Sequence, residues 1–128
     1  MSLWTHVNGN IRLGGISESV DKNESMEFLL GKMVFPEDGD PSTNLPCGSE
    51  GSIFYKLSEI KDKYIISIFG DLRDYDDELY IKNWFKEVCE SFWVIAAILQ
   101  IETPFEEIIL KWDINEEKVI ELDIKWRI

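Results

Sequence analysis

The sequence predicts a single α+β domain over residues 1–128, a ferredoxin-like βαββαβ sandwich with an added C-terminal β-hairpin. Apolar residues recur at every second position in some stretches and at helical spacing in others, so strands and helices are both encoded. The two patterns alternate in the order βαββαβ. Two split βαβ units interleaved in that order place two helices on one face of an antiparallel sheet. Two more alternating stretches, joined by Asn115-Glu116-Glu117-Lys118, then read as a hairpin.

In the first strand, Leu3, Thr5, Val7, Gly9, Ile11 and Leu13 share one face, and Trp4, His6, Asn8, Asn10 and Arg12 share the other; Gly14-Gly15 ends it. Asp21 and Glu24 form a capping box before a short helix with the stripe Met26, Leu29, Leu30 and Met33. Phe35–Gly51 carries three Pro and three Gly and reads as a long loop, of the kind that is functional or mobile. Ser52–Leu57 and Tyr64–Phe69 are strands joined by a polar turn at Lys61-Asp62-Lys63, the second closed by Gly70. Ile81, Trp84, Phe85, Val88 and Phe92 make a helical stripe behind the acidic first turn Asp76-Asp77-Glu78, which suits the positive end of the helix dipole. Val94–Ile101 reads as a buried strand closed by Pro104, a helical continuation being the other reading of so apolar a run. In the hairpin, Ile108, Leu110, Trp112 and Ile114 alternate, as do Ile120, Leu122, Ile124, Trp126 and Ile128, placing Trp112 and Trp126 on its apolar face. That face must bury itself against the open side of its own sheet or against a second copy, and such an edge is compatible with a homodimer.

Composition narrows the function classes. Apolar residues at 45%, with five Trp and seven Phe, argue against disorder despite a net charge of −12. Twenty-five acidic residues against thirteen basic ones repel phosphate, so direct nucleic-acid binding and anionic membrane surfaces are excluded as partners. The longest apolar run, Phe92–Leu99, is too short to cross a bilayer, and no basic segment followed by an apolar run marks a secretory leader. Cys47 and Cys89 lie far apart and read as free thiols, which suits a cytoplasmic protein.

The expected topology sets strands one and two parallel with strand three antiparallel to both. One end of the sheet then collects Trp4, His6, the turn Gly48-Ser49-Glu50-Gly51-Ser52, the loop Gly70-Asp71-Leu72-Arg73-Asp74 and the acidic turn Asp76–Glu78. Within it, Trp4, His6, Gly48, Ser49, Glu50, Gly51, Ser52, Gly70, Asp71, Arg73 and Asp74 are the expected ligand- or partner-binding residues. The glycine turn has two readings: an anion nest of backbone N–H groups, or a strand-entry turn in which glycine supplies a positive φ. The surrounding carboxylates disfavour phosphate and suit a hydrated cation or a partner's Lys and Arg. Arg73 reads as a clamp on a neighbouring carboxylate or as a ligand contact.

Catalytic chemistry finds little footing. His6 is the only histidine, and no CxxC, HxH or HExxH spacing exists to hold zinc. A nucleophile–base pair would need His6 beside Ser49, Ser52 or Cys47, which the topology permits without requiring. Asp71/Asp74 and Asp113/Asp123 are the best-placed pairs for a divalent metal, but carboxylates this dense mostly solvate a surface. There is no Walker A loop and no dinucleotide fingerprint. The expectation is a non-enzymatic protein with no catalytic residues, no metal and no cofactor.

Trp4-Thr5-His6-Val7-x-Gly9-x-Ile11-Arg12, Gly48-Ser49-Glu50-Gly51-Ser52-Ile53, Ser67-Ile68-Phe69-Gly70-Asp71-Leu72-Arg73-Asp74 and Trp84-Phe85 occur in this order. The set resembles a family of small uncharacterised proteins of tailed bacteriophages and prophages. The likeness spans roughly the first hundred residues and departs at Phe35–Pro46, which is shorter here. It implies an origin and a bacterial host, and no chemistry. Two expectations follow: an acidic protein that docks on and inhibits a host protein with a basic surface, or a small-ligand protein that binds or sequesters a nucleotide or metal ion.

Overall fold

A computed structural model of the chain describes residues 3–14, 48–61, 63–75 and 77–122. Its elements are β1 (Trp4–Leu13), β2 (Ile53–Ile60), β3 (Lys63–Arg73), α1 (Glu78–Ser91), β4 (Val94–Glu102), β5 (Glu107–Asp113) and β6 (Lys118–Leu122). The strands form one six-stranded sheet in the order β2-β3-β1-β4-β5-β6, and every neighbouring pair is antiparallel.

This corrects the expected ferredoxin-like βαββαβ sandwich with its two helices and appended hairpin. The described residues form an open, mostly antiparallel sheet with one helix. The edge of β4 has unpaired N–H and C=O groups, and β5 takes them in plane, from Ile98↔Lys111 to Glu102↔Glu107. The hairpin therefore widens the sheet instead of packing over it. The expected helix at Met26–Met33 with its box Asp21 and Glu24, the loop as far as Cys47, and Asp123, Ile124, Trp126 and Ile128 all lie outside the described residues.

Alternation along each strand sends one set of side chains under α1. Val7, Ile11 and Leu13 of β1 are buried with Ile66, Ile68 and Leu72 of β3, Leu99 and Ile101 of β4, and Ile108, Leu110 and Trp112 of β5. Gly9 sits in the middle of β1, between Ile68 and Leu99. A Cβ there would fall 2.9 Å from both the Leu99 Cα and its side chain, so this close approach of backbones requires glycine. The strand expected to stop at Gly70 continues to Arg73, because Gly70 is itself paired with Val7 on one side and Ile53 on the other. In β4 the register shifts between Arg12 and Leu13 of its partner strand, and Ile95 is the bulged residue.

The hairpin holds a second correction. Ile108, Leu110, Trp112, Ile120 and Leu122 do not share a face. The turn Ile114–Glu117, with Glu117 at φ +53°, pairs Trp112 with Val119 and Leu110 with Glu121. Val119 thus packs on the core, while Ile120 and Leu122 turn to the opposite face.

Helix α1 begins where the Asp77 carboxylate accepts the Tyr80 N–H at 3.1 Å, an N-cap at the helix end whose dipole favours negative charge. Its apolar stripe, Ile81, Trp84, Phe85, Val88 and Cys89, is buried, and the helix lies against β4 and β6. At its rim, Lys82 reaches Glu121 at 2.8 Å. Phe92 is extended and ends the helix, after which the Trp93 carbonyl accepts the Gly14 N–H at 2.8 Å.

Phe85 has no exposed surface, so Phe85→Ala leaves a cavity and is expected to cost about 3–5 kcal/mol in urea unfolding. A loss under about 1 kcal/mol would mean that the helix is not seated on the sheet as described.

Candidate functional site

The end of the sheet where β1 begins and β3 finishes gathers the expected residues. Trp4 pairs with Arg73 and His6 with Asp71. Residues 48–52 run alongside: the Ser49 N–H donates to the Arg73 carbonyl at 2.9 Å, and the Arg73 N–H donates to the Glu50 carbonyl at 3.0 Å. The Gly48 N–H donates to the Gly51 carbonyl at 2.9 Å. With the Gly48 and Ser49 amides engaged within the chain, this turn is built as a strand entry and not as an anion nest. Gly51 has φ +77°, and a Cβ on it would collide with the Asp71 carbonyl, so glycine is required there.

The side chains lock the same end. Arg73 Nη1 contacts Glu50 Oε1 at 2.5 Å and its Nε lies 3.7 Å from Asp74 Oδ2, so it clamps the turn to β3. The Asp74 carboxylate accepts the Leu3 N–H at 3.2 Å and lies within reach of the Ser49 hydroxyl at 3.5 Å. Asp74 has φ +52°, a left-handed conformation that short polar side chains tolerate. The His6 ring meets Asp71 Oδ1 at 2.5 Å and both side chains are exposed. Among the described residues no serine is bonded to His6: the Ser49 hydroxyl donates to the Arg73 carbonyl at 3.2 Å, and the Ser52 hydroxyl is buried without a hydrogen-bond partner.

Alternation splits the expected set between two faces. His6 and Asp71 project from the face away from α1. On the α1 side, Leu3, Thr5, Asp74, Tyr75 and Glu78 meet the β4–β5 turn, Thr103–Glu106, around a groove of ≈ 350 Å³. The Thr5 hydroxyl donates to the Tyr75 carbonyl at 3.2 Å across its floor. Thr103 holds the turn, its hydroxyl accepting the N–H groups of Phe105 at 3.2 Å and Glu106 at 3.0 Å. Leu3 and Phe105 stand exposed on the rim.

Glu78 and Glu106 are the pair that sequence reading missed. Partial burial, then a hydrogen bond to Glu106 and that carboxylate's charge, raise the Glu78 carboxyl above its ordinary value; Lys82 opposes this and Glu121 adds to it. Glu78 was expected at this end of the sheet as part of the acidic turn Asp76–Glu78, but Glu106, which meets it at the groove, was not. The signal lay in the four-residue turn after β4, which returns the chain to the helix start. Asp113 accepts the N–H groups of Asn115 at 3.0 Å and Glu116 at 3.3 Å in the hairpin turn, and Asp123, with which it was expected to pair, lies outside the described residues. Among the described residues no group of three or more His, Cys, Asp or Glu side chains is arranged to hold a metal ion. Cys89 is buried, and burial pushes its thiol up to about 12.

No protein-family model, curated protein or solved structure matches the chain. Among the described residues, no helix is long and apolar enough to cross a membrane.

Three outcomes are expected. Gly51→Ala should lower stability by more than about 1–2 kcal/mol, while Glu50→Gln, which removes only an exposed ion pair, should cost less than about 1 kcal/mol; paired urea titrations separate them. Because the Glu78 carboxyl is raised in the folded state, the unfolded chain ionises first, and stability falls as pH rises through and above 4.5. Glu78→Gln should therefore gain in unfolding midpoint relative to the native chain at pH 7, and that gain should vanish at pH 4. In a Cys47→Ser background, Cys89 should resist iodoacetamide at pH 8 until denaturant is added.

Proposed function

We propose that the chain is a non-catalytic binding protein whose acidic end docks on a basic surface of another protein. The observation that supports it most is the pairing of an apolar groove with carboxylates on its rim, Leu3, Tyr75 and Phe105 beside Asp74, Glu78 and Glu106. A groove of this size accepts one or two side chains of a partner as anchors, and the rim pairs with the Lys and Arg that flank them. The net charge of −12 adds long-range attraction toward a basic surface and speeds encounter. The clamp of Arg73 on Glu50 and the bonded turn at residues 48–51 keep this end pre-organised, which lowers the entropy lost on binding.

The phage resemblance adds the setting: the partner is a host protein in a bacterial cytoplasm, inhibited by having a surface covered that otherwise meets an anion such as DNA. That last step is analogy. A small-molecule reading has support from the groove alone, and its carboxylate rim and engaged amides disfavour a nucleotide.

The test is capture from bacterial lysate on immobilised protein, at about 50 mM and about 500 mM salt, where screening differs strongly. A partner should be retained at low salt and released at high salt, and Phe105→Ser and Glu106→Lys should each reduce retention at least tenfold. Failure to retain any protein at low salt, or equal retention by both variants, would sink the proposal. A small molecule carried through native mass spectrometry would favour the ligand reading instead.

A further inference from the structure

The face of the sheet away from α1 sorts its charges by position along the strands. At the site end, one row across β3, β1, β4 and β5 reads Asp71, His6, Glu102 and Glu107. Glu102 and Glu107 stand directly opposite each other, a like-charge pair that folding alone disfavours. Toward the other end the same face carries Arg12, Lys56, Lys63, Lys111 and Lys118, all exposed. Arg73 at the site end and Asp113 at the other are the exceptions, and each is engaged within the chain, Arg73 by Glu50 and Asp74 and Asp113 by the amides of the hairpin turn. Between the two, Phe69 on one side and Ile109 and Leu122 on the other flank Asn8 and Gln100, and Ile98 extends this apolar belt into the row of Lys111, with Phe69 51% and Ile98 41% exposed. Among the described residues no element packs on this face.

Lys56 and Lys111 lie four residues and Arg12 and Lys118 six residues beyond the row at His6, about 13–20 Å in extended strands. That exceeds the screening length at physiological salt, so the attraction between the two ends within one copy is weak. A chain with a net charge of −12 nevertheless gathers five cations toward one end of one sheet face, beside exposed apolar side chains. What such a face complements is itself, turned end for end.

We infer that this face joins two copies of the chain, stacked sheet to sheet about a twofold axis that lies between the sheets and runs across the strands. That rotation reverses strand direction, so the acidic row of each copy meets the basic end of the other, and belt meets belt. A twofold axis along the strands would set acid on acid and base on base, and repulsion rejects it. The groove at Leu3, Thr5 and Phe105 opens on the α1 side and stays accessible, so the dimer presents two docking ends.

Charge reversal tests this in one set of samples by sedimentation equilibrium. The unmodified chain should dimerise. Lys56→Glu with Lys111→Glu makes both ends acidic, and Glu102→Lys with Glu107→Lys makes both ends basic; each double variant alone should associate at least tenfold more weakly. Mixed in equal amounts, the two should form a heterodimer, because both contacts are again complementary, and its formation also shows that both variants are folded. Ile98→Arg, in the belt, should be monomeric by itself. An unmodified chain that stays monomeric at about 1 mM, where even a millimolar dissociation constant would register, overturns the inference. So does a dimer that survives both reversals, or reversed variants of native circular dichroism that stay monomeric when mixed. None of these results bears on capture by the groove, which the Phe105→Ser variant reads separately.

Discussion

Strand β1 is hydrogen-bonded along both edges, to β3 from Trp4↔Arg73 to Leu13↔Tyr64 and to β4 from His6↔Glu102 to Leu13↔Val94. Among the described strands it alone is hydrogen-bonded to both the β2-β3 half and the β4-β5-β6 half of the sheet. Gly9 holds this seam closed, since any side chain there would press against the β4 backbone. The functional geometry hangs on the same strand. Its first residues alternate between two surfaces, Thr5 to the groove beneath α1 and His6 to the charged row on the opposite face. One strand's pleat thus keeps the proposed docking end and the proposed self-complementary face from competing for the same side chains.

The acidity of the chain has several distinct uses. Asp77 caps a helix, Asp113 orders a turn, and Glu50 and Asp74 hold Arg73 and Leu3 at the end of the sheet. Each of these pairs with a donor in the folded chain. Glu78 and Glu106 differ in kind, since they face each other at the groove, and burial together with the Glu106 carboxylate raises the Glu78 carboxyl above its ordinary value. A partner cation placed between them would relieve the repulsion, which is a physical reason for a Lys or Arg to prefer that rim.

Element types along the chain could be read from periodicity where one face is buried and the other wet. The strand at Trp4–Leu13 and the stripe Ile81, Trp84, Phe85 and Val88 are of this kind. The layering could not, because alternation in the last two strands says that a face is apolar without saying where the hairpin goes. The in-plane pairing with β4 was decided by hydrogen-bonding groups that every sequence carries. Parity failed for a related reason: the turn at residues 114–117 shifts the register, and one residue exchanges the faces, as Val119 and Ile120 demonstrate. Gly70 misled as a strand end because a glycine in a ladder and a glycine in a turn look alike in one dimension. The gathering of Trp4, residues 48–52 and Arg73 followed from strand direction alone, whereas the Glu78–Glu106 pair needed the three-dimensional path of Thr103–Glu106.

The central place of β1 also sets an order of events during synthesis. The strand that ends up in the middle is made before the other described strands, and its partners emerge from the ribosome much later, β3 before β4. Until then its apolar face, Val7, Ile11 and Leu13, has no native ladder to join. Long-range pairings of this sort raise contact order and slow folding into the range of about milliseconds to seconds. The nascent chain therefore leaves the ribosome with its most central strand unsatisfied, and the sheet closes from the inside only once Glu102 is clear of the tunnel.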